Sequence, residues 1–203
     1  MLTLSPHNMR QQIRDEVATI EALDELEHAQ IADTLRWIDS GVELCRLAKP
    51  ATPPRHLVSY FVCVDLAGQD GHVLLVDHIN AQLWLPTGGH VEPGEHPRTT
   101  VQREAHEELG LTLGRDADFL LPAPLFLTAT ETVGLTAGHV DVSLWYVLTT
   151  DRHSRLDYDA SEFHGIRWFA LDQVPLARSD PQMARFLQKL ARRQRATRPV
   201  TAP

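Results

Sequence analysis

The segment 49–54 divides this chain, because Pro50, Pro53 and Pro54 fall within it, and each proline removes a backbone donor and disfavours helix in the residue before it. No regular helix continues through such a stretch, so it reads as a stiff linker with a boundary near residue 55. Before it the apolar period is helical. Ile13, Val17 and Ile20 recur at i, i+4 and i+7, and Ile31, Leu35 and Ile38 form a second stripe that ends near Gly41. Ser5 is placed to cap the first helix, with Pro6 at its first position. No Gly or Pro interrupts residues 7–40; between one long helix and two, we favour two, with a break near Thr19.

After the linker the pattern changes to strands. Residues 56–66 and 72–77 are rich in Val, Leu and aromatic side chains, with Gly68 and Gly71 between them as a hairpin turn. A short strand is expected at 83–86, a helix at 97–109 with Pro97 in its first turn and Gly110 just past its end, and further strands at 120–128, 139–149 and 166–171. A closing helix at 181–193, capped by Asp180, follows. Strands and helices are mixed without regular βαβ alternation, and no GxGxxG is present, which argues against a dinucleotide-binding doubly wound sheet. The fold class is therefore α+β.

Charge narrows the partners. The net charge is −8, yet residues 181–203 carry six Lys or Arg and no acid, which leaves −14 on the first 180 residues. So acidic a body repels a nucleic-acid backbone unless cations intervene, so a nucleic-acid partner is not expected. The basic run Arg192, Arg193, Arg195 and Arg198 reads as a solvated, frayed C-terminal end, with 195–203 as the flexible tail. Cys45 and Cys63 are the only cysteines and build neither a disulfide framework nor a zinc site by spacing. No apolar stretch approaches the roughly twenty residues that span a bilayer, and the N-terminus lacks a basic segment followed by an apolar one. A cytoplasmic protein is expected.

Chemistry concentrates between Gly89 and Leu111. On the helix at 97–109, Glu104, Glu107 and Glu108 share an arc beside the apolar stripe of Val101, Ala105 and Leu109. Like charges at i, i+3 and i+4 destabilise a helix by about 0.2–0.5 kcal/mol per pair, and these lie in its last turns, where the dipole favours cations. A hard divalent cation reverses both penalties, since Mg²⁺ is commonly held by a few carboxylates together with substrate phosphates. A solvated acidic face is the competing reading. Gly88, Gly89, Pro93 and Gly94 permit a tight loop into the helix, and Arg103 can pair with Glu107 at i+4 or with Glu95 across the loop.

From Gly89 the spacing runs glycine, five residues, Glu95, seven residues, then Arg103, Glu104, Ala105, any residue, Glu107, Glu108, any residue, Gly110 and Leu111. Position for position this resembles the motif of the Nudix hydrolases, with Ala105 small for its apolar slot. The resemblance implies a mixed β-sheet sandwiched between α-helices, covering some 140 residues, here preceded by an N-terminal helical segment. It implies a loop–helix–loop that binds Mg²⁺ or Mn²⁺ and hydrolyses a pyrophosphate bond in a nucleoside diphosphate linked to another group. Carried over, Glu104, Glu107 and Glu108 are metal ligands, the carbonyl of Gly88 is a further one, and Glu95 and Arg103 support the loop and helix. Glu162, six residues before Trp168, resembles the additional carboxylate of MutT-type members and is the candidate for a further ligand or the general base. Because the base varies within the family, Glu107 or Glu108 stays open for that role.

The expected organisation is thus a helical extension and linker at 1–54, a hydrolase domain at 55–194 and the basic tail. The expected partner is a small nucleotide, leaning to a nucleoside triphosphate or an oxidised analogue, with ADP-ribose, a dinucleoside polyphosphate or a nucleotide sugar as alternatives. A rival of another class is a nucleotide-binding sensor without catalysis, and attack on a capped RNA end through the basic tail is a third. Thr87 stands as an inserted residue between Pro86 and the glycine pair. His90, His96 and His106 surround the motif and are read as surface or capping groups. His139 and Asp141 alternate on one strand face, suited to the nucleotide cavity or to edge hydrogen bonding. Trp84, Trp145, Tyr146 and Phe169 are read as packing rather than base stacking, and Trp37 as covering the core or a partner. The N-terminal arm suits docking onto its own domain and homodimerisation equally.

Overall fold

The computed structural model describes residues 6–49, 51–67, 71–132 and 138–197. Ser5, the turn at 68–70 and the tail beyond 197 lie outside them. Two helices precede the sheet: α1 at Pro6–Ala18 and α2 at Glu25–Asp39, with the expected break after Ala18. Asp24 caps α2 by accepting the Glu27 N–H at 2.9 Å. The strands are β1 at Arg55–Asp65, β2 at His72–His78, β3 at Leu83–Leu85, β4 at Thr87–His90, β5 at Asp118–Phe119, β6 at Phe126–Glu131, β7 at Val140–Thr149 and β8 at Phe163–Ala170; α3 at Pro97–Leu109 lies between β4 and β5, and α4 at Met183–Thr197 closes the chain.

All eight strands belong to one mixed sheet whose spine runs β3-β2-β1-β7-β5. The centre is a parallel pair, β1 on β7, in register from Arg55↔Val140 to Val64↔Thr149; the other pairings are antiparallel. Strand β1 shares one edge between two partners, pairing with β4 at Val58 to Phe61 and with β2 at Val64 and Asp65.

Alternation along the central strands divides the core by face. Leu57, Phe61 and Cys63 of β1 with Val142, Leu144, Tyr146 and Leu148 of β7 pack under α1, α2 and α3. Val62 and Val64 with Trp145 and Val147 pack on the other face against Phe186 and Leu190 of α4. Helices thus cover both faces, the sandwich that the resemblance implies. The arm docks on its own sheet: Ile13, Val17, Ile20, Ile31 and Ile38 join the first cluster, and the Tyr146 hydroxyl donates to Glu16 at 2.9 Å. Trp37 is half-buried, with the Arg55 guanidinium over its ring at 4.6 Å. Trp145, Tyr146 and Phe169 are buried packing residues. Cys45 and Cys63 are buried free thiols, and burial pushes both up to about 12.

Several element boundaries differ from expectation, among them β8, which begins at Phe163 rather than at 166. The strand placed at 120–128 begins only at Phe126, because Pro122 and Pro124 supply no donors to a ladder. The glycine-rich loop contains strand β4, where Thr87 is not a loose insertion: it pairs with Phe61 and its hydroxyl donates to the Phe61 carbonyl at 3.2 Å. Helix α4 runs to Thr197, past its expected end at 193, so Arg195 is a helical residue rather than tail, and Arg192 donates to the Leu23 carbonyl at 3.1 Å. The Asp180 carboxylate accepts the Gln182 N–H at 2.7 Å ahead of that helix.

A buried charge ties the arm to both faces. Glu27, fully buried, accepts the Leu23 N–H at 2.7 Å, the Leu127 N–H at 3.1 Å and the Lys189 ammonium at 2.5 Å. Removing one partner of a buried pair leaves an uncompensated charge and typically costs about 3–5 kcal/mol. Glu27→Ala is therefore predicted to lower the unfolding free energy measured in urea by that order, whereas Glu25→Ala, exposed on the same helix, stays within about 0.5 kcal/mol of wild type. Equal losses in the two variants contradict this reading.

Candidate active site

Helix α3 is built to hold its acidic face at a fixed place. His96 caps it, its Nδ1 accepting the Arg98 N–H at 3.2 Å; Pro97 occupies the first turn; and Gly110 ends it in the left-handed conformation, φ 66°, donating to the Ala105 and His106 carbonyls. Val101, Ala105 and Leu109 are buried against the sheet, which turns the carboxylates toward strand β4. His96 thus has the capping role expected of it, and His106 is exposed.

The two glycines of β4 make the approach possible. A Cβ at Gly89 would collide with the Glu104 carboxylate, and a Cβ at Gly88, φ +139°, would collide with the Ser59 carbonyl oxygen. The Gly88 N–H donates to Glu108 Oε2 at 2.9 Å. Arg103 gathers the rest: its Nε and Nη2 each donate to Glu95 at 3.2 Å, and its Nη1 donates to Glu104 at 2.7 Å and to Glu107 at 3.1 Å. Thr100 Oγ1 donates to Glu95 Oε2 at 2.8 Å, a support with no signal in the sequence. Both pairings expected of Arg103 are present, with Glu104 in addition.

Glu104 and Glu108 are withdrawn from solvent, while the Glu107 side chain is 56% exposed. Burial, then the charge of Glu104, pushes Glu108 up to about 9, with Glu162 and Glu107 adding to the rise. Burial is also the first cause of the rise at Glu104, where the Arg103 hydrogen bond opposes it and the charges of Glu107 and Glu162 add to it. Glu162 is exposed immediately before β8, where its carbonyl accepts the Ile79 N–H at 2.9 Å. The structure therefore brings Glu104, Glu107, Glu108, Gly88, Glu95 and Arg103 together, with Glu162 near enough for its charge to act on them. An all-oxygen set whose members raise one another is the donor chemistry that a hard divalent cation relieves.

A second group converges beside this one. His139 and Asp141 do share a strand face, and His56 and His90 join them, with one ligand atom from each residue within 4.8 Å of the others. His90 is thus not a simple surface group, and burial, then the positive charge of Arg46, pushes it down to about 3. His56 was missed by sequence reasoning, because only the β1/β7 register, His56↔Asp141, brings it there.

A family model described as the NUDIX domain matches residues 56–190. No curated protein matches the chain. Among solved structures it is similar to a hydrolase of the NUDIX family from Clostridium perfringens, at 21% identity and TM-score 0.53, over 68% of this chain and 97% of that one. It is also similar to the Ap4A hydrolase of C. elegans, at 17% identity and TM-score 0.56, over 68% and 97%. A third is the NUDIX domain of Shewanella oneidensis NrtR complexed with ADP ribose, at 18% identity and TM-score 0.51, over 68% and 87%. At these identities the likeness is one of fold. Among the described residues no helix is long and apolar enough to cross a membrane.

The raised Glu108 sets a pH dependence for the metal-free protein. Its folded value, about 9, lies above the ordinary 4.5, so across that interval the folded state binds more protons than the unfolded state, and stability falls as pH rises. Chemical denaturation between pH 5 and pH 9 in chelator is predicted to show this fall, and Glu108→Gln is predicted to flatten it. A slope unchanged in Glu108→Gln contradicts the assignment.

Proposed function

The chain belongs to the Nudix family and is a Nudix hydrolase; from that premise we propose that it cleaves a pyrophosphate bond in a nucleoside diphosphate linked to another group, with Mg²⁺ or Mn²⁺ held by the carboxylates of α3. The observation that carries the proposal is the convergence of Glu104, Glu107 and Glu108 on the glycine pair of β4, where burial and mutual charge hold Glu108 far above its ordinary range. Glu104, Glu107, Glu108 and the Gly88 carbonyl are the groups that would hold the cation. When bound, such an ion lowers the pKa of its water and neutralises charge on the phosphate oxygens.

The chain's own residues have separable parts in this reading. Arg103 ion-pairs with three carboxylates and offsets part of their mutual repulsion, and with Glu95 it locks the loop onto the helix, so the ligands are positioned before substrate arrives. Glu108, held by the Gly88 N–H, is oriented by backbone rather than by a flexible partner. Glu162 is exposed, acts by charge on both Glu104 and Glu108, and is our candidate for a further ligand or for the base that takes the proton of the attacking water. Glu107, also exposed, is the alternative base.

For substrate we favour a nucleoside triphosphate or an oxidised analogue, on the placement of Glu162 ahead of β8 and Trp168. Dinucleoside polyphosphates and ADP-ribose, named for the C. elegans hydrolase and the NrtR domain, and nucleotide sugars are the other members of the panel that decides it. The rival sensor reading is disfavoured because every acidic position of the motif is retained and assembled.

Release of phosphate or pyrophosphate from that panel in Mg²⁺ tests the proposal. Turnover on one substrate class is expected, abolished by excess EDTA and lowered at least about a hundredfold in Glu107→Gln, since cation stabilisation of the transition state is worth several kcal/mol. Because Glu107 is exposed, the variant should melt as wild type does. Full turnover in excess EDTA, or in Glu107→Gln, overturns the mechanism; tight nucleotide binding with silence across the panel favours the sensor.

A further inference from the structure

We propose that His56, His90, His139 and Asp141 form a second, closed metal site of the zinc class, chemically and spatially distinct from the carboxylates of α3. The site lies where three strands meet. His56 is the second residue of β1, His90 ends β4, His139 precedes β7 and Asp141 lies within it; His56 pairs with Asp141 across the parallel ladder, and His90 pairs with Val58 across the antiparallel one. Asp141 alternates with Val142 and Leu144, which face α3, so the cluster is on the α4 side of the sheet.

The ligand atoms converge to near the spacing of a coordination shell, His56 and His139 at it and His90 somewhat outside it. Asp141 Oδ1 lies 3.1 Å from His56 Nε2, 3.3 Å from His139 Nε2 and 4.0 Å from His90 Nε2. In a tetrahedron with bonds of 2.0–2.1 Å, ligand atoms are separated by about 3.4 Å. The His56 side chain is fully buried, and its Nε2, His90 Nε2 and Asp141 Oδ1 are buried atoms without a hydrogen-bond partner. Unsatisfied buried polar atoms are rare in native proteins and call for an explanation such as an ion.

Outer partners fix the imidazoles in the ligand orientation. His56 Nδ1 lies 2.9 Å from the Pro53 carbonyl, which accepts only, so Nδ1 is the donor there and Nε2 is the nitrogen turned toward Asp141. His139 Nδ1 lies 3.0 Å from the Thr132 hydroxyl, which likewise leaves Nε2 as the nitrogen turned toward Asp141. Backbone or hydroxyl partners on the distal nitrogen are the usual support of metal-binding histidines.

Three imidazoles and one carboxylate select a borderline ion over Mg²⁺, which prefers oxygen. Four protein ligands leave no open position, so the site is structural rather than hydrolytic. Its place gives it a consequence. His90 directly follows Gly88 and Gly89, and its carbonyl accepts from Arg103 Nη2 at 3.4 Å, so an ion there pins β4 to β1 and β7 at the base of the glycine pair.

The test is titration of the chelator-stripped full chain with Co²⁺, read by visible absorption, followed by Zn²⁺ displacement and melting. One equivalent per chain with the intense bands of four-coordinate cobalt is expected, displaced by Zn²⁺, which also raises the melting temperature. Glu104→Gln with Glu108→Gln should keep those bands, which separates this site from the carboxylate site. His139→Ala should weaken binding by more than the roughly 10–100-fold that loss of an outer partner costs. Since that variant replaces a buried side chain, His90→Asn at a partly exposed ligand serves as a second, with circular dichroism to show that it is folded. No cobalt band in wild type, or bands unchanged in folded His90→Asn, overturns the proposal.

Discussion

The site depends on how closely helix α3 approaches strand β4. Two opposing requirements meet there: carboxylates at the C-terminal end of a helix repel one another and the helix dipole, yet three must converge for a polyanionic substrate to be met through cations. The fold meets them with backbone. Gly89 has no side chain where the Glu104 carboxylate sits, and the Gly88 amide turns to Glu108. Arg103 adds the positive charge that holds the set in the absence of an ion. The glycines act by making space, the arginine by charge, and neither substitutes for the other.

That approach rests on the sheet behind it. Strand β4 is short and pairs with β1 only from Val58 to Phe61; β1 is in turn fixed by its parallel ladder with β7. The N-terminal helices cover the same face as α3 and are anchored by Glu27, which satisfies backbone of β6 and the ammonium of α4 at once. The arm is thus part of the core that seats α3. The proposed imidazole site on the opposite face would act on the same strand. Two donor sets of different hardness, one all oxygen and one mainly nitrogen, would then flank the glycine pair without competing for the same ion.

Local chemistry was legible in the sequence and long-range pairing was not. Helix α3 appears with the expected bounds, because Pro97 and Gly110 mark its ends and no tertiary contact overrides them. The break after Ala18 and the spacing of the acidic face were equally readable. Strand β6 was misplaced because apolar residues at 120–125 carry a strand-like pattern that Pro122 and Pro124 interrupt, and β4 was hidden because glycines carry no strand signal. The alternation of His139 and Asp141 was visible, but His56 lies more than eighty residues away and joins them only through the β1/β7 register. Periodicity within a segment reports on one strand; no local pattern states which strand lies beside it.

Anomalous diffraction from crystals grown with Mn²⁺ and a non-hydrolysable nucleotide would show whether the α3 carboxylates and the glycine pair form the divalent-cation site of a pyrophosphohydrolase. Manganese is expected on Glu104 and Glu108 beside Gly88, with a phosphate oxygen of the nucleotide in the same shell. Nucleotide bound with its phosphates away from α3, or manganese absent from those carboxylates at saturating concentration, would contradict that assignment.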